Sequence, residues 1–232
     1  MKNDILIEKI YSKRSVNRIK KKIELLGVNS KINVSKFLNM RLILCLIIFV
    51  LLLTFSSLGF IYAPLIVIIF YISYEYLELD YKIKKRIKKL DSDALFFFEI
   101  LTLSLESGRN LKGAIELTVK TIKNDLSDEF KYALEEINYG KSLNEALTSL
   151  KKRIPSPTIN NVILDITQTN IFGSGIIDTL HNEINYIRDK KFLEAKSIIN
   201  KMPVKISVIS VLFYIPIMLL LLLGPIIIDL MK

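Results

Sequence analysis

The apolar residues of the chain fall into two long blocks, and the segment between the blocks is mixed and charged. The blocks cover residues 42–79 and 206–230. A helix needs about 20 apolar residues to cross a bilayer, so the second block predicts one membrane span. The first block is long enough for one tilted helix or for two short spans, and Ser56, Ser57, Gly59 and Pro64 supply turn-forming residues near its middle.

The positions of the positive charges favour two spans in the first block. Lysine and arginine are concentrated before this block, in residues 13–22, and after it, in residues 82–89. Because such segments tend to stay on the cytoplasmic side of a membrane, we expect a hairpin that keeps both segments on that side. The predicted regions are a basic cytoplasmic lead-in over 1–40, a hairpin over 41–79, a cytoplasmic helical region over 80–205 and a third span over 206–230.

The net charge of +10 indicates an anionic partner. Both basic segments flank an apolar block, which is typical of contact with anionic lipid headgroups. Binding to nucleic acid would call for a basic face with interleaved aromatic side chains on a folded domain. We therefore expect anionic lipids, and not nucleic acid, among the partners.

The segment between the blocks, residues 91–202, predicts six helices, since it shows no alternation typical of strands. The first is expected to begin after the capping residues 91–93 and, being apolar on almost every side, to lie at the centre. The second covers about 111–123, and the third begins after Ser127. The fourth opens on Ser142 and Glu145 in the spacing of a capping box, the fifth covers about 158–171, and the sixth begins near Gly175. The predicted class is all-α, with three membrane spans and an antiparallel six-helix bundle.

A glycine-based unit recurs at three of the predicted helix ends. Glycine is followed after two residues by an aliphatic side chain and, after two more, by a small one. A glycine that ends a helix can adopt the left-handed conformation, so each unit predicts a corner between two helices. The corner residues are Gly108, Leu111 and Ala114, then Gly140, Leu143 and Ala146, and finally Gly173, with Ile176 and Thr179 after it.

The residue types that carry catalysis are sparse and scattered. His181 has only Glu183 near it in the sequence, Cys45 lies within an apolar block, and the glycine-rich residues 172–175 lack the strand and lysine of a phosphate-binding loop. The sequence therefore predicts a protein that is not an enzyme and that holds no cofactor or metal ion.

Five stretches, in this order and spacing, resemble the type II secretion system F domain family, most closely its tight-adherence (Tad) pilus branch. They are DALFFFEILTLSLESGRNLKGAI (93–115), ALEEINYGKSLNEALTSLKKRIPSP (133–157), NIFGSGIIDTL (170–180), KMPVK (201–205) and LFYIPIMLLLLLGP (212–225). The resemblance covers roughly residues 75–230. This chain has one copy of the bundle, where type II secretion and type IV pilus relatives usually have two.

The resemblance implies a non-catalytic platform protein of the cell (inner) membrane, with its amino terminus and bundle in the cytoplasm. A hexameric ATPase would dock on the bundle, and pilin or pseudopilin subunits would be extracted beside the spans. A paralogous platform protein or a second copy of the chain would be a further partner. A small membrane adaptor or regulator of similar layout, such as occurs in sporulation, is the alternative.

Two further sets of residues belong to these expectations. The charged sixth helix offers a partner surface at Arg188, Lys190, Lys191 and Glu194. Proline removes a backbone hydrogen bond and tends to kink a helix, so Pro203, Pro216 and Pro225 predict either a hinge or packing notch, or ordinary membrane-helix prolines.

Overall fold

The computed structural model describes residues 11, 13–30, 32–55, 59–172 and 175–230, and every regular element in these ranges is helical. The helices are α1 (Lys13–Glu24), α2 (Val34–Phe55), α3 (Gly59–Glu75), a π-helical segment (Tyr76–Asp80), α4 (Tyr81–Glu106), α5 (Leu111–Thr121), α6 (Asp125–Asn138), α7 (Leu143–Arg153), α8 (Pro157–Phe172) and α9 (Ile176–Leu230). The predicted all-α class is confirmed. Within the described ranges, three helices are long and apolar enough to cross a membrane, over Val34–Thr54, Ile61–Glu106 and Ile176–Gly224.

The first apolar block forms two helices, α2 and α3, which pack against each other. Cys45 and Ala63 are buried, whereas Leu46 and Ile72 on the same helices are each 65% exposed. Apolar side chains at such exposure are suited to lipid rather than to water. Of the predicted turn-forming residues, Ser56 and Ser57 lie outside the described residues and Gly59 begins α3. Pro64 lies inside α3, so its assignment to a turn is wrong.

Helix α4 is not a separate element that starts at residues 91–93. It begins at Tyr81 and continues directly from α3 through the π-helical segment, so the predicted start is wrong. The physical reason is that the buried stripe runs through this point, with Ile83 and Leu90 before it and Ala94 after it. Asp91 does not cap a helix end, and its carboxylate accepts a hydrogen bond from the Ser156 hydroxyl.

Helices α4 to α8 form the helical domain, in which α4 contacts α5, α6 and α8. Its aromatic centre comprises Phe97, Phe98 and Phe130, and the ring centroids of Phe97 and Phe130 are 4.6 Å apart. The predicted burial of α4 on almost every side is wrong for one face, because Phe96 is 57% exposed and Leu103 is 60% exposed. No neighbouring helix of this domain covers these two side chains.

Two helix starts in the domain follow from side-chain caps. The Asn124 side chain accepts a hydrogen bond from the Ser127 backbone N–H, so α6 begins at Asp125 and the predicted start after Ser127 is too late. The predicted capping box is confirmed, since Ser142 and Glu145 each accept a hydrogen bond from the other's backbone N–H at the start of α7.

The chain divides into two compact units, residues 1–184 and 185–232. The second unit contains most of α9, a helix of 55 residues that continues through Pro203, Pro216 and Pro225 without interruption. Large apolar side chains along it are exposed, among them Leu212 at 71% and Leu220 at 74%.

Candidate functional site

The most specific polar arrangement in the described residues is a buried set of ion pairs, which we call the charged junction. It comprises Arg86 on α4, Glu129 on α6, Arg153 at the end of α7 and the loop of residues 25–30 after α1. The junction therefore ties the amino-terminal helix to three helices of the helical domain.

Arg86 lies on the buried side of α4 and is only 9% exposed. Its Nη2 donates to Glu129 Oε1 at 2.7 Å, and its Nη1 donates to the carbonyl oxygens of Leu25 at 2.6 Å and Arg153 at 2.9 Å. Burial lowers the pKa of the Arg86 guanidinium, and the Glu129 charge opposes this shift. Although it belongs to the basic segment 82–89, this side chain is not available to a lipid headgroup.

Glu129 is the centre of the charged junction and is 2% exposed. Besides Arg86, its carboxylate accepts from Arg153 Nε at 3.0 Å and from the Val28 backbone N–H at 2.9 Å. Arg153 Nη1 also lies 3.7 Å from a Glu136 carboxylate oxygen. Two guanidinium groups thus face two carboxylates, and a buried charge needs such partners to offset its desolvation.

Gly27 allows the loop to approach this ion pair closely. Its φ angle is +89°, which favours glycine. A Cβ atom at this position would lie 2.3 Å from Arg86 Nη2 and 2.6 Å from Glu129 Oε1. Any side chain here would therefore both strain the backbone and displace the ion pair.

A second group of contacts, the π clamp, holds the π-helical segment where α3 passes into α4. Lys22 Nζ on α1 lies 2.9 Å from Glu75 Oε1 and 2.8 Å from Asp80 Oδ1. Glu75 immediately precedes the π-helical segment, and Asp80 is its last residue. Burial lowers the pKa of Lys22, but its hydrogen bonds to Asp80 and Glu75 outweigh this effect and raise it overall. Isolated π-helical turns occur frequently at functional sites.

Arg41 and an apolar cluster complete the π clamp. Arg41 on α2 is 3% exposed, and its Nη2 donates to the Tyr71 carbonyl oxygen at 2.7 Å. Beneath the polar contacts, α1, α2 and the π-helical segment share an apolar cluster. Its buried members are Ile19, Phe37, Leu38 and Leu79.

Together, the charged junction and the π clamp make α1 a brace between the apolar hairpin and the helical domain. One side of α1 fixes the end of α3 through Lys22, and the loop after it fixes α4 through Arg86. This arrangement resists bending between hairpin and domain. It fixes the position of the hairpin relative to the helical domain. The described residues contain no group of three or more metal-ligating side chains.

The predicted corner residues lie away from the charged junction. Gly108 and Gly140 have φ angles of +85° and +101° and follow the ends of α4 and α6. Arg86 and Glu129 lie near the starts of these helices, so the corners are at the opposite end of the domain. Leu111, Ala114 and Ala146 are buried and Leu143 is half-buried. Gly173 lies outside the described residues.

The predicted partner surface lies in the second unit. Arg188 and Glu194 are exposed there, and Lys190 and Lys191 are half-buried. Pro203 and Pro216 occupy interior positions of the same helix, as does the backbone of Pro225.

The histidine has a partner that the sequence did not indicate. His181 Nε2 lies 2.8 Å from Glu106 Oε1, and both side chains are exposed. Glu183 instead faces Asp165, and burial together with this neighbouring carboxylate raises the pKa of Glu183. Within the described residues, neither pair belongs to a group of three or more metal-ligating side chains.

Comparison with known families gives one match. The family described as type II secretion system (T2SS), protein F, matches residues 97–224, which is more than half of the chain. Searches of curated proteins and of solved structures returned no match. The match begins inside α4 and ends inside α9, so it includes the helical domain from residue 97 onward and the third apolar helix.

Proposed function

Because the chain belongs to the type II secretion system protein F family, we propose that it is the platform protein of a type II secretion or pilus-like (Tad) machine. The observation that carries this proposal is the family match over residues 97–224. In this proposal the amino terminus and an antiparallel six-helix bundle lie in the cytoplasm, and the three apolar helices cross the cell membrane. The protein performs no chemistry of its own.

The proposed mechanism is the transmission of movement from a soluble motor to the membrane. A cytoplasmic hexameric ATPase docks on the helical domain. In the second unit, the exposed residues Arg188 and Glu194 offer a charged surface to a partner. Pilin or pseudopilin subunits are taken from the bilayer beside the spans. A paralogous platform protein or a second copy of this chain completes the assembly.

The structure supports transmission because the path from domain to membrane contains no loop. The helix over Ile61–Glu106 has 46 residues, which corresponds to a length of about 70 Å. The charged junction fixes this helix at Arg86, where it enters the domain, and the π clamp fixes it at Glu75 and Asp80, nearer the hairpin. A load applied to α4 to α8 is therefore carried to α2 and α3 rather than absorbed by a flexible linker.

The first experiment tests the function as a whole. Deletion of the protein should abolish surface filaments or secretion, and affinity purification from native membranes should recover a hexameric secretion ATPase. A deletion strain with normal filaments and normal secretion would overturn the proposal and favour a membrane adaptor unrelated to filaments.

A second experiment tests transmission separately from docking. Lys22→Met removes the ion pairs of the π clamp, whereas Lys120→Met removes an exposed charge of the helical domain. We expect the first variant to reach the membrane and bind the ATPase, yet to assemble fewer filaments than the second. Equal filament assembly by the two variants would contradict the transmitting role of α1.

A further inference from the structure

One face of α1 is strongly cationic and exposed. The exposed cations are Lys13, Arg14, Arg18, Lys20 and Lys21, and the one acidic residue of the helix is Glu24. Arg14, Arg18 and Lys21 line a single open groove along the helix. Among the described residues, no ion pair involves any of the five cations.

The apolar face of α1 is already occupied. Ile19 is 1% exposed in the apolar cluster, and Val16 and Ile23 pack against that cluster. A helix that lies in a bilayer surface inserts its apolar side chains, so α1 is not placed for insertion. Only its cationic face remains for a partner.

The position of α1 identifies the partner as a lipid surface. Lys22 binds Glu75, and Ile72, which is 65% exposed, lies one turn earlier on α3. Ile19 of α1 shares the apolar cluster with Leu38 of α2. Leu42, which lies one turn after Leu38 on α2, is 40% exposed. One helical turn rises about 5.4 Å, and the headgroup layer on each side of a bilayer is about 5–8 Å thick. The helix therefore lies at the height of the headgroups.

The charges also create a need for such a surface. Like charges four residues apart, such as Arg14 and Arg18, destabilise a helix. A 12-residue helix is also only marginally stable by itself. Anionic headgroups beside this face would offset the repulsion and hold α1 in place.

We propose that the exposed cationic face of α1 is a docking surface for anionic phospholipid headgroups, and that membrane charge thereby stabilises the brace that α1 forms. This inference rests on the membrane placement in the proposed function and is independent of the motor. The two can fail separately, since normal secretion in a deletion strain would leave the lipid measurement unchanged.

The test is hydrogen–deuterium exchange of residues 13–24 in the full chain, held in nanodiscs of phosphatidylcholine alone or with about one third phosphatidylglycerol. Each lysine or arginine near an anionic surface contributes about fivefold in equilibrium. The five cations should therefore slow exchange at least tenfold in the anionic discs. The difference should shrink at 1 M salt, where the screening length falls to about 3 Å.

Two charge-matched variants identify the face. Arg14→Gln/Arg18→Gln/Lys21→Gln leaves Lys13 and Lys20, so it should reduce the logarithm of the lipid-dependent difference to about two fifths of its wild-type value. Arg109→Gln/Lys120→Gln/Lys152→Gln removes three exposed cations of the helical domain and should keep the full difference. Equal exchange of the wild-type chain in both kinds of disc, or a full lipid effect in the α1 variant, would overturn the proposal. The salt dependence of the wild-type chain tests it without any substitution.

Discussion

The substitution Glu129→Gln tests whether the charged junction stabilises the protein. The carboxylate is 2% exposed and accepts hydrogen bonds from Arg86, Arg153 and the Val28 backbone N–H. Gln keeps the size of the side chain but removes its charge, and it offers one acceptor oxygen where there were two. Arg86, itself 9% exposed, then remains buried without a neutralising partner.

The expected loss is large because it is the cost of an uncompensated buried charge. Removing one partner of a buried ion pair costs about 3–5 kcal/mol. For a chain of this size, about 2–4 °C of thermal midpoint corresponds to each kcal/mol, so the midpoint should fall by roughly 6–20 °C. The measurement is thermal unfolding by circular dichroism in one detergent.

Two further variants separate this explanation from a general effect of the substitution. Glu116→Gln breaks an exposed pair with Lys112, whose charged atoms are 3.9 Å apart, and should cost less than about 0.5 kcal/mol. Arg86→Met/Glu129→Leu removes both buried charges and should recover at least half of the stability lost in Glu129→Gln. If Glu129→Gln and Glu116→Gln unfold at the same temperature, the reasoning about a buried charge is wrong.

Four other substitutions give expectations for the same unfolding assay. Gly140→Ala should cost about 1–2 kcal/mol of stability, since its φ angle is +101° and no atom lies within 4 Å of the new Cβ. Gly27→Ala should cost at least about 1.5 kcal/mol more, because its Cβ displaces a buried ion pair. Equal losses for the two variants would contradict the close approach of Gly27 to the ion pair. Ser142→Ala should cost about 1 kcal/mol through loss of the capping box, and an unchanged midpoint would contradict the cap. Burial and the Asp165 carboxylate raise the pKa of Glu183 in the folded protein. The contribution of Glu183 to the free energy of unfolding is therefore complete below the pKa of the unfolded chain and is lost as pH rises through the folded pKa. Glu183→Gln should therefore raise the midpoint at pH 7 and have little effect near pH 4, and the opposite trend would contradict this assignment.

The helices of the domain were predictable because their signals are local. Ser142 and Glu145 specify a cap within four residues, and glycines after helices match the ends of α4 and α6. The residues 91–93 misled the prediction because capping residue types also occur inside helices. There the continuous buried stripe of α4 outweighs the local preference.

The charged junction was missed because it depends on contacts between distant residues. Glu129 lies 43 residues from Arg86 and 101 residues from Val28. A signal was nevertheless present, since Arg86 occupies a position of the apolar stripe between Ile83 and Leu90. A charged residue on a buried helix face requires a partner, whereas the neighbouring lysines made the whole segment resemble a lipid anchor.

The π-helical segment gives the long helix a specific way to move. A π turn closes its hydrogen bond over five residues instead of four, so the segment Tyr76–Asp80 stores one residue more than an α-helix of equal rise would. If that extra residue passed into the α-helix, the domain would advance along the helix axis by about 1.5 Å and turn by about 100° relative to the spans. Such a step would break the two ion pairs from Lys22 and displace Arg86 from the charged junction, so the brace formed by α1 opposes it.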